Sequence, residues 1–251
     1  MTGQEDYDVS GGMEGGMEGG MEGGMEGGME GGMEGGMENG HLDRVRLHYE
    51  RCLAAYGDDP RGVDWSDRRG QSLRFRILSE VANLRGSRVL DVGCGLGHLH
   101  DYLQEREIPV TYEGYDVSPK MIEAARRRHP GVTFTVNDLS GSEPVVDSFD
   151  VVIACGVFLV KDTAADEAWE RLVRTMVRRM FEIARVAVSF NLLSSEVDFM
   201  DDRLYYCPPD AMLRFALGLS RYVVIRHEYP LYEYAVYIYK EPPMGMVKGK
   251  S

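Results

Sequence analysis

Residues 89–97 read Val89-Leu90-Asp91-Val92-Gly93-Cys94-Gly95-Leu96-Gly97, a short apolar run that meets an acid and then three glycines at alternate positions. A continuous apolar run of this length suits a strand buried on both faces, as in a parallel sheet. Glycines are needed where the backbone turns with positive φ or where a ligand must approach the main chain. A second strand-like run, residues 110–115, ends in Asp116, nineteen residues after Gly97. A glycine loop after one strand and an acid after the next mark a nucleotide-type site at the carboxyl edge of a parallel sheet. The dinucleotide fingerprint requires a sixth-position glycine, and here that position is His98. An acid two residues before the first glycine also suits a cationic ligand better than a pyrophosphate. A nicotinamide-dependent oxidoreductase is therefore the weaker reading.

The rest of the chain alternates. Helices are expected at 72–84, 98–105, 119–128, 163–183 and 208–219, and strands at 110–115, 132–136, 150–154 and 185–190. Segments 222–229 and 234–240 are close enough to pair as an antiparallel hairpin. Regular alternation means a parallel sheet with right-handed crossovers and helices on both faces. Residues 41–86 read as N-terminal helices, with Leu42, Val45, Leu47, Tyr49 and Leu53 forming a loose apolar stripe.

With these motifs in order, residues 86–190 resemble the class I S-adenosylmethionine (SAM) dependent methyltransferases. The resemblance implies an α/β fold, with a seven-stranded, mostly parallel Rossmann-like sheet. It also implies SAM as methyl donor and S-adenosylhomocysteine as product. By that likeness, Gly93, Cys94, Gly95 and Gly97 pass under the methionine part and Asp91 holds its amino end. Asp116 accepts from the ribose hydroxyls, and Val117 and Met121 pack on the adenosine. Asn137, Asp138 and Leu139 meet the adenine, while Cys155 and Gly156 line the floor near the sulfonium. The family often closes the methionine end with a helical lid, which puts Trp65 and Arg74 beside the cofactor, Arg74 as a partner for its carboxylate. Acceptor residues belong beyond the fourth and fifth strands. Phe158, Asn191 and Tyr206 are the catalytic-site candidates, with Tyr205 and His98 behind them, and 196–206 is read as a loop covering the substrate.

Charge and motifs narrow the acceptor. Of the net charge of −13, residues 1–40 supply −10, so the remainder is close to neutral and no large nucleic-acid-binding surface is indicated. No Asn/Asp-Pro-Pro-aromatic tetrapeptide and no Pro-Cys pair follows the fourth strand, against methylation of nucleic-acid bases. No metal-ligand set resembling that of the catechol-type enzymes is evident, and Phe158-Leu159-Val160 favours a small or moderately apolar acceptor. A protein or peptide side chain is the alternative acceptor, and a non-catalytic SAM-binding protein the alternative role. Four widely spaced cysteines, no apolar run of membrane-spanning length and no leader pattern lead us to expect a cytoplasmic protein, monomeric or homodimeric, with no membrane partner. Residues 11–38 are seven copies of Gly-Gly-Met-Glu. Two glycines per repeat oppose a helix, so 1–40 is expected to be a disordered tail, 41–86 a helical lid and 87–251 the catalytic domain.

Overall fold

 The computed structural model describes residues 34–65, 67–141, 146 and 148–243, with side chains described from residue 40 onward except that of Pro60. Residues 1–33, and with them most of the repeat, lie outside them. In chain order the elements are α1 (Glu34–Tyr56), a 3-10 turn (Pro60–Val63), α2 (Arg68–Ser79), β1 (Arg88–Val92), α3 (His98–Glu105), β2 (Thr111–Asp116), α4 (Pro119–Arg128) and β3 (Thr133–Val136). There follow β4 (Phe149–Ala154), α5 (Asp166–Ile183), β5 (Ala184–Ser194), β6 (Tyr206–Cys207), α6 (Pro209–Leu217), β7 (Tyr222–Arg226) and β8 (Glu233–Tyr239).

The sheet runs β3-β2-β1-β4-β5-β8-β7, with the two-residue β6 pairing beside the end of β5. Strands β1 to β5 are parallel, and β8 lies antiparallel to both β5 and β7. The order reverses between β1 and β4, and a ligand crevice belongs at that switch point. Seven strands form the main path, as expected, and β6 makes an eighth. The interior of β1 is buried from Val89 to Val92, which explains why its sequence shows no polar alternation. One core packs α5, with Trp169, Leu172, Val173, Met176, Val177 and Met180, against one face of the sheet. The other packs α2 and α3 on the opposite face through Phe75, Leu78, Leu99 and Leu103.

Local chemistry sets the helix starts. Asp67 caps α2 by accepting from Gly70 N–H at 2.7 Å. Ser118 caps α4 by accepting from Met121 N–H at 3.2 Å, with Pro119 in the first turn. Gly97, at φ 79°, stands at the start of α3.

Two expectations shift. Helix α1 begins at Glu34, inside the repeat, so the last Gly-Gly-Met-Glu copy belongs to a helix rather than to the tail. Strand β5 continues to Ser194, four residues past the expected end, because Asn191, Leu192 and Leu193 pair with Ala235, Tyr234 and Glu233 of β8. Residues 191–194, placed beyond the fifth strand as an acceptor segment, are thus part of the sheet. None of the helices of the described residues is long and apolar enough to cross a membrane.

Candidate active site

The carboxyl ends of β1, β2 and β4 open into a cavity that α1, the segment after the 3-10 turn and α2 cover. Its non-atom space, open mouth included, is about 1080 Å³.

The glycine loop is built for close approach. Gly93 and Gly95 have φ of 70° and 52°, in the left-handed region that a side chain disfavours. A Cβ on Gly93 would collide with the Val157 side chain, and one on Gly95 would lie 3.1 Å from Val63 Cγ1. The loop is tied to the next strand, since Gly93 and Cys94 both donate to Tyr115 O, at 2.8 and 3.0 Å. Asp116 ends that strand and accepts from Gly95 N–H at 3.0 Å and Ser118 N–H at 2.8 Å. Burial raises the pKa of Asp116 against these two bonds. Its carboxylate keeps acceptor capacity beyond the two backbone donors.

Asp91 is 3% exposed and accepts from the Tyr112 hydroxyl at 2.6 Å. Burial pushes its pKa up to about 7, against the lowering effect of that hydrogen bond. A buried carboxylate facing a cavity is costly when charged, and a cationic group entering there offsets the cost. Burial also drives the Cys155 thiol well up and lowers His98, which favours the neutral form of each.

Of the residues expected at the cofactor, Asp91, Gly93, Cys94, Gly95, Asp116 and Val117 line the cavity, as do Met121, Asn137, Leu139, Cys155, Gly156 and Trp65. Phe158 joins them, 1% exposed and edge-on to Phe190. Trp65 lies over Gly156, where an added Cβ would be 2.5 Å from its ring.

Five expected residues fall elsewhere. Gly97 backs onto His129 and Phe134, so it serves the packing of α3. Asp138 bonds Ser140 through both its backbone N–H (2.9 Å) and hydroxyl (2.6 Å), outside the cavity lining. Arg74 does not face the cavity as a carboxylate partner. Its Nε donates to Glu233 at 2.9 Å, and its guanidinium stacks on Trp65 with 4.3 Å to the ring centre. Asn191 has both amide atoms engaged: Oδ1 accepts from Gly156 N–H at 2.7 Å, and Nδ2 donates to Glu233 at 3.2 Å. It fixes the loop after β4 instead of facing an acceptor. The Tyr206 hydroxyl accepts from Asp201 N–H at 3.1 Å and holds the 196–206 segment.

The cavity also has walls that the sequence pattern did not assign to the site. Leu42, Val45, Arg46 and Tyr49 of α1 and Trp169, Leu172 and Met176 of α5 line it. Their helical apolar spacing is that of ordinary core, and nothing in it separates a cavity wall from packing. Gln71 of α2, which the sequence places with Trp65 and Arg74 beside the lid, also lines the cavity and contacts His98 Nδ1 at 3.2 Å.

Comparisons with known proteins agree with this geometry. A family model described as "Methyltransferase domain" matches residues 89–180. The Mycobacterium tuberculosis protein named "Putative methyltransferase Rv1506c" is 35% identical over 155 residues, which are 60% of this chain and 91% of that one. A trans-aconitate 2-methyltransferase of Mycobacterium ulcerans is 39% identical over 90 residues, but these are only 36% of this chain and 33% of the relative. In fold, the chain is similar to the SAM-bound magnesium protoporphyrin IX methyltransferase of Synechocystis PCC 6803. The TM-score is 0.57 at 18% identity, covering 80% of this chain and 97% of that one. With a relative matched across nearly its whole length and the glycine loop, Asp116 and the switch-point cavity all in place, the chain belongs to the class I S-adenosylmethionine-dependent methyltransferase family.

Proposed function

We propose that this methyltransferase acts on a small, largely apolar acceptor. The observation that carries the reading is the lining of the covered end of the cavity. Leu42, Val45, Phe158, Trp169, Leu172 and Met176 are apolar or aromatic. Arg46 is the one Lys or Arg among the described lining residues, and it is bonded to Glu50 at 3.0 Å and Asp43 at 3.1 Å. A polycarboxylate would find no unpaired cation on that wall. The name of the trans-aconitate relatives supports the small-molecule class, while this wall argues for a less charged acceptor than theirs.

S-adenosylmethionine supplies, when bound, a methyl group already activated on a sulfonium, so the protein's task is alignment and exclusion of water. The backbone of Gly93 and Gly95 would lie against the methionine part, and Asp91 would accept from its amino group. Asp116 would hold the ribose, with Asn137 and Leu139 at the base. Trp65 and Phe158 would close the reacting end. Asn191 acts through Gly156 as a positioning residue.

The test is mass-spectrometric product analysis of the full chain with SAM and a panel of acceptors. The panel spans apolar hydroxyl and amine compounds, trans-aconitate and a basic peptide. Methylation confined to the apolar compounds is the expected result; turnover of trans-aconitate in preference to them contradicts it. A peptide acceptor is the second reading, favoured by the exposed Phe199 and Met200 beside the exposed acids Asp198 and Asp202.

A further inference from the structure

We propose that His48, Cys52 and Asp64 form a binding site for a Zn2+-class transition-metal ion, which clips the covering helix α1 to the segment after the 3-10 turn. The three ligand atoms lie within 4.8 Å of one another. His48 and Cys52 are four residues apart, which puts them on one face of α1. Asp64 sits at φ 62° just past the turn, and its carboxylate reaches back to the same face. Both partners converge on one atom: His48 Nε2 lies 2.8 Å from Asp64 Oδ2 and 3.8 Å from Cys52 Sγ.

Zinc chemistry fits these edges. Zn–S of about 2.3 Å and Zn–N of about 2.0–2.1 Å at a tetrahedral angle set an S···N edge of about 3.6 Å and an N···O edge of about 3.4 Å. The sulfur is already placed, and the carboxylate has to retreat by about 0.6 Å. Binding releases the thiol proton, and the imidazole nitrogen facing the metal must be unprotonated. Thiolate and carboxylate together then balance the double charge of the ion. Three protein ligands leave a fourth position, and Asp64 is exposed, so water completes the shell. The other cluster with ligand spacing, His100, Asp101 and His129, is less suited, because Arg128 already donates to Asp101 at 2.6 Å and holds a positive charge there.

The consequence follows from the neighbours. Tyr49 on α1, and Val63 and Trp65 on either side of Asp64, line the cofactor cavity. An ion joining His48 and Cys52 to Asp64 would hold the cover closed, and by reciprocity SAM would strengthen metal binding. This linkage, unlike the site itself, rests on the SAM-cavity reading above.

The full chain, stripped with a chelator, is titrated with Co2+ as the spectroscopic stand-in for Zn2+. One equivalent is expected to bind with a thiolate-to-cobalt charge-transfer band, to be displaced by Zn2+, and to be lost in both Cys52→Ser and His48→Ala. His100→Ala is the control that should bind as the native chain does. A flat titration of the native chain, or a band that survives Cys52→Ser, overturns the site. The linkage is read separately: Zn2+ should tighten SAM binding several-fold in the native chain and leave Cys52→Ser unchanged, and equal tightening in both overturns the clip.

Discussion

Asp91, buried, and Asp116, partly buried, are both carboxylates at strand ends, but their surroundings give them different roles. Asp116 is held by two backbone N–H groups, which stabilise its charged form against burial. Asp116→Ala is expected to weaken SAM binding by at least tenfold, in line with the roughly 1.5–3 kcal/mol of a hydrogen bond to a charged group; calorimetric titration checks it. Asp91 has a pKa raised to about 7. Its contribution to folding is therefore full below the ordinary aspartate range near 3.8 and lost as pH rises through about 7. The cationic cofactor reverses that preference by pairing with the charged form. SAM affinity should thus rise with pH up to about 7 and level off above it, and Asp91→Asn should flatten the profile. Titrations across that range decide it, and an unchanged slope in the variant contradicts the assignment. At this scale the glycines and Asp116 were legible because strand, turn and acid stand in a fixed local order. Arg74 and Asn191 were not, because both answer to Glu233, a residue far along the chain whose burial no local pattern reveals.

Glu233 sits at the start of β8, 0% exposed, and joins three elements. Through Arg74 it fastens α2, and through Asn191 it fastens the end of β5 and the loop after β4. Burial raises its pKa, while Arg74 and the hydrogen bonds from Arg74 and Asn191 oppose that rise. Removing one partner of a buried ion pair leaves an uncompensated charge, at a cost of about 3–5 kcal/mol, whereas removing both costs less. Arg74→Met should therefore lower the melting temperature by several degrees, and adding Glu233→Gln should restore part of the loss. Additive losses in thermal denaturation would mean that the two side chains do not work as a pair. Elements with a strong internal period, such as α3, α4 and α5, were legible close to their true bounds. The end of β5 was not, because Asn191 to Leu193 become strand only when β8 arrives from forty or more residues away.

The whole molecule is a parallel α/β sheet with its crevice at the β1–β4 switch point and a cover contributed by the residues before β1. That much follows from alternation and from one loop, since the crossover rules leave few topologies. The acceptor wall was not legible, because α1 and α5 show the same apolar spacing whether they face a cavity or a core. A ligand that binds only the folded chain stabilises it by about 2.7 kcal/mol at a hundredfold excess over Kd. S-adenosylhomocysteine at that excess should raise the melting temperature by several degrees, and NADH should not. The central claim, a SAM site built on Asp116 and the glycine loop, is tested most directly by calorimetric titration of the full chain with SAM, with NADH and the Asp116→Ala variant as controls. Stoichiometric SAM binding that is absent for NADH and lost in the variant is the predicted result; NADH binding at this site, or SAM affinity unchanged in Asp116→Ala, would contradict it.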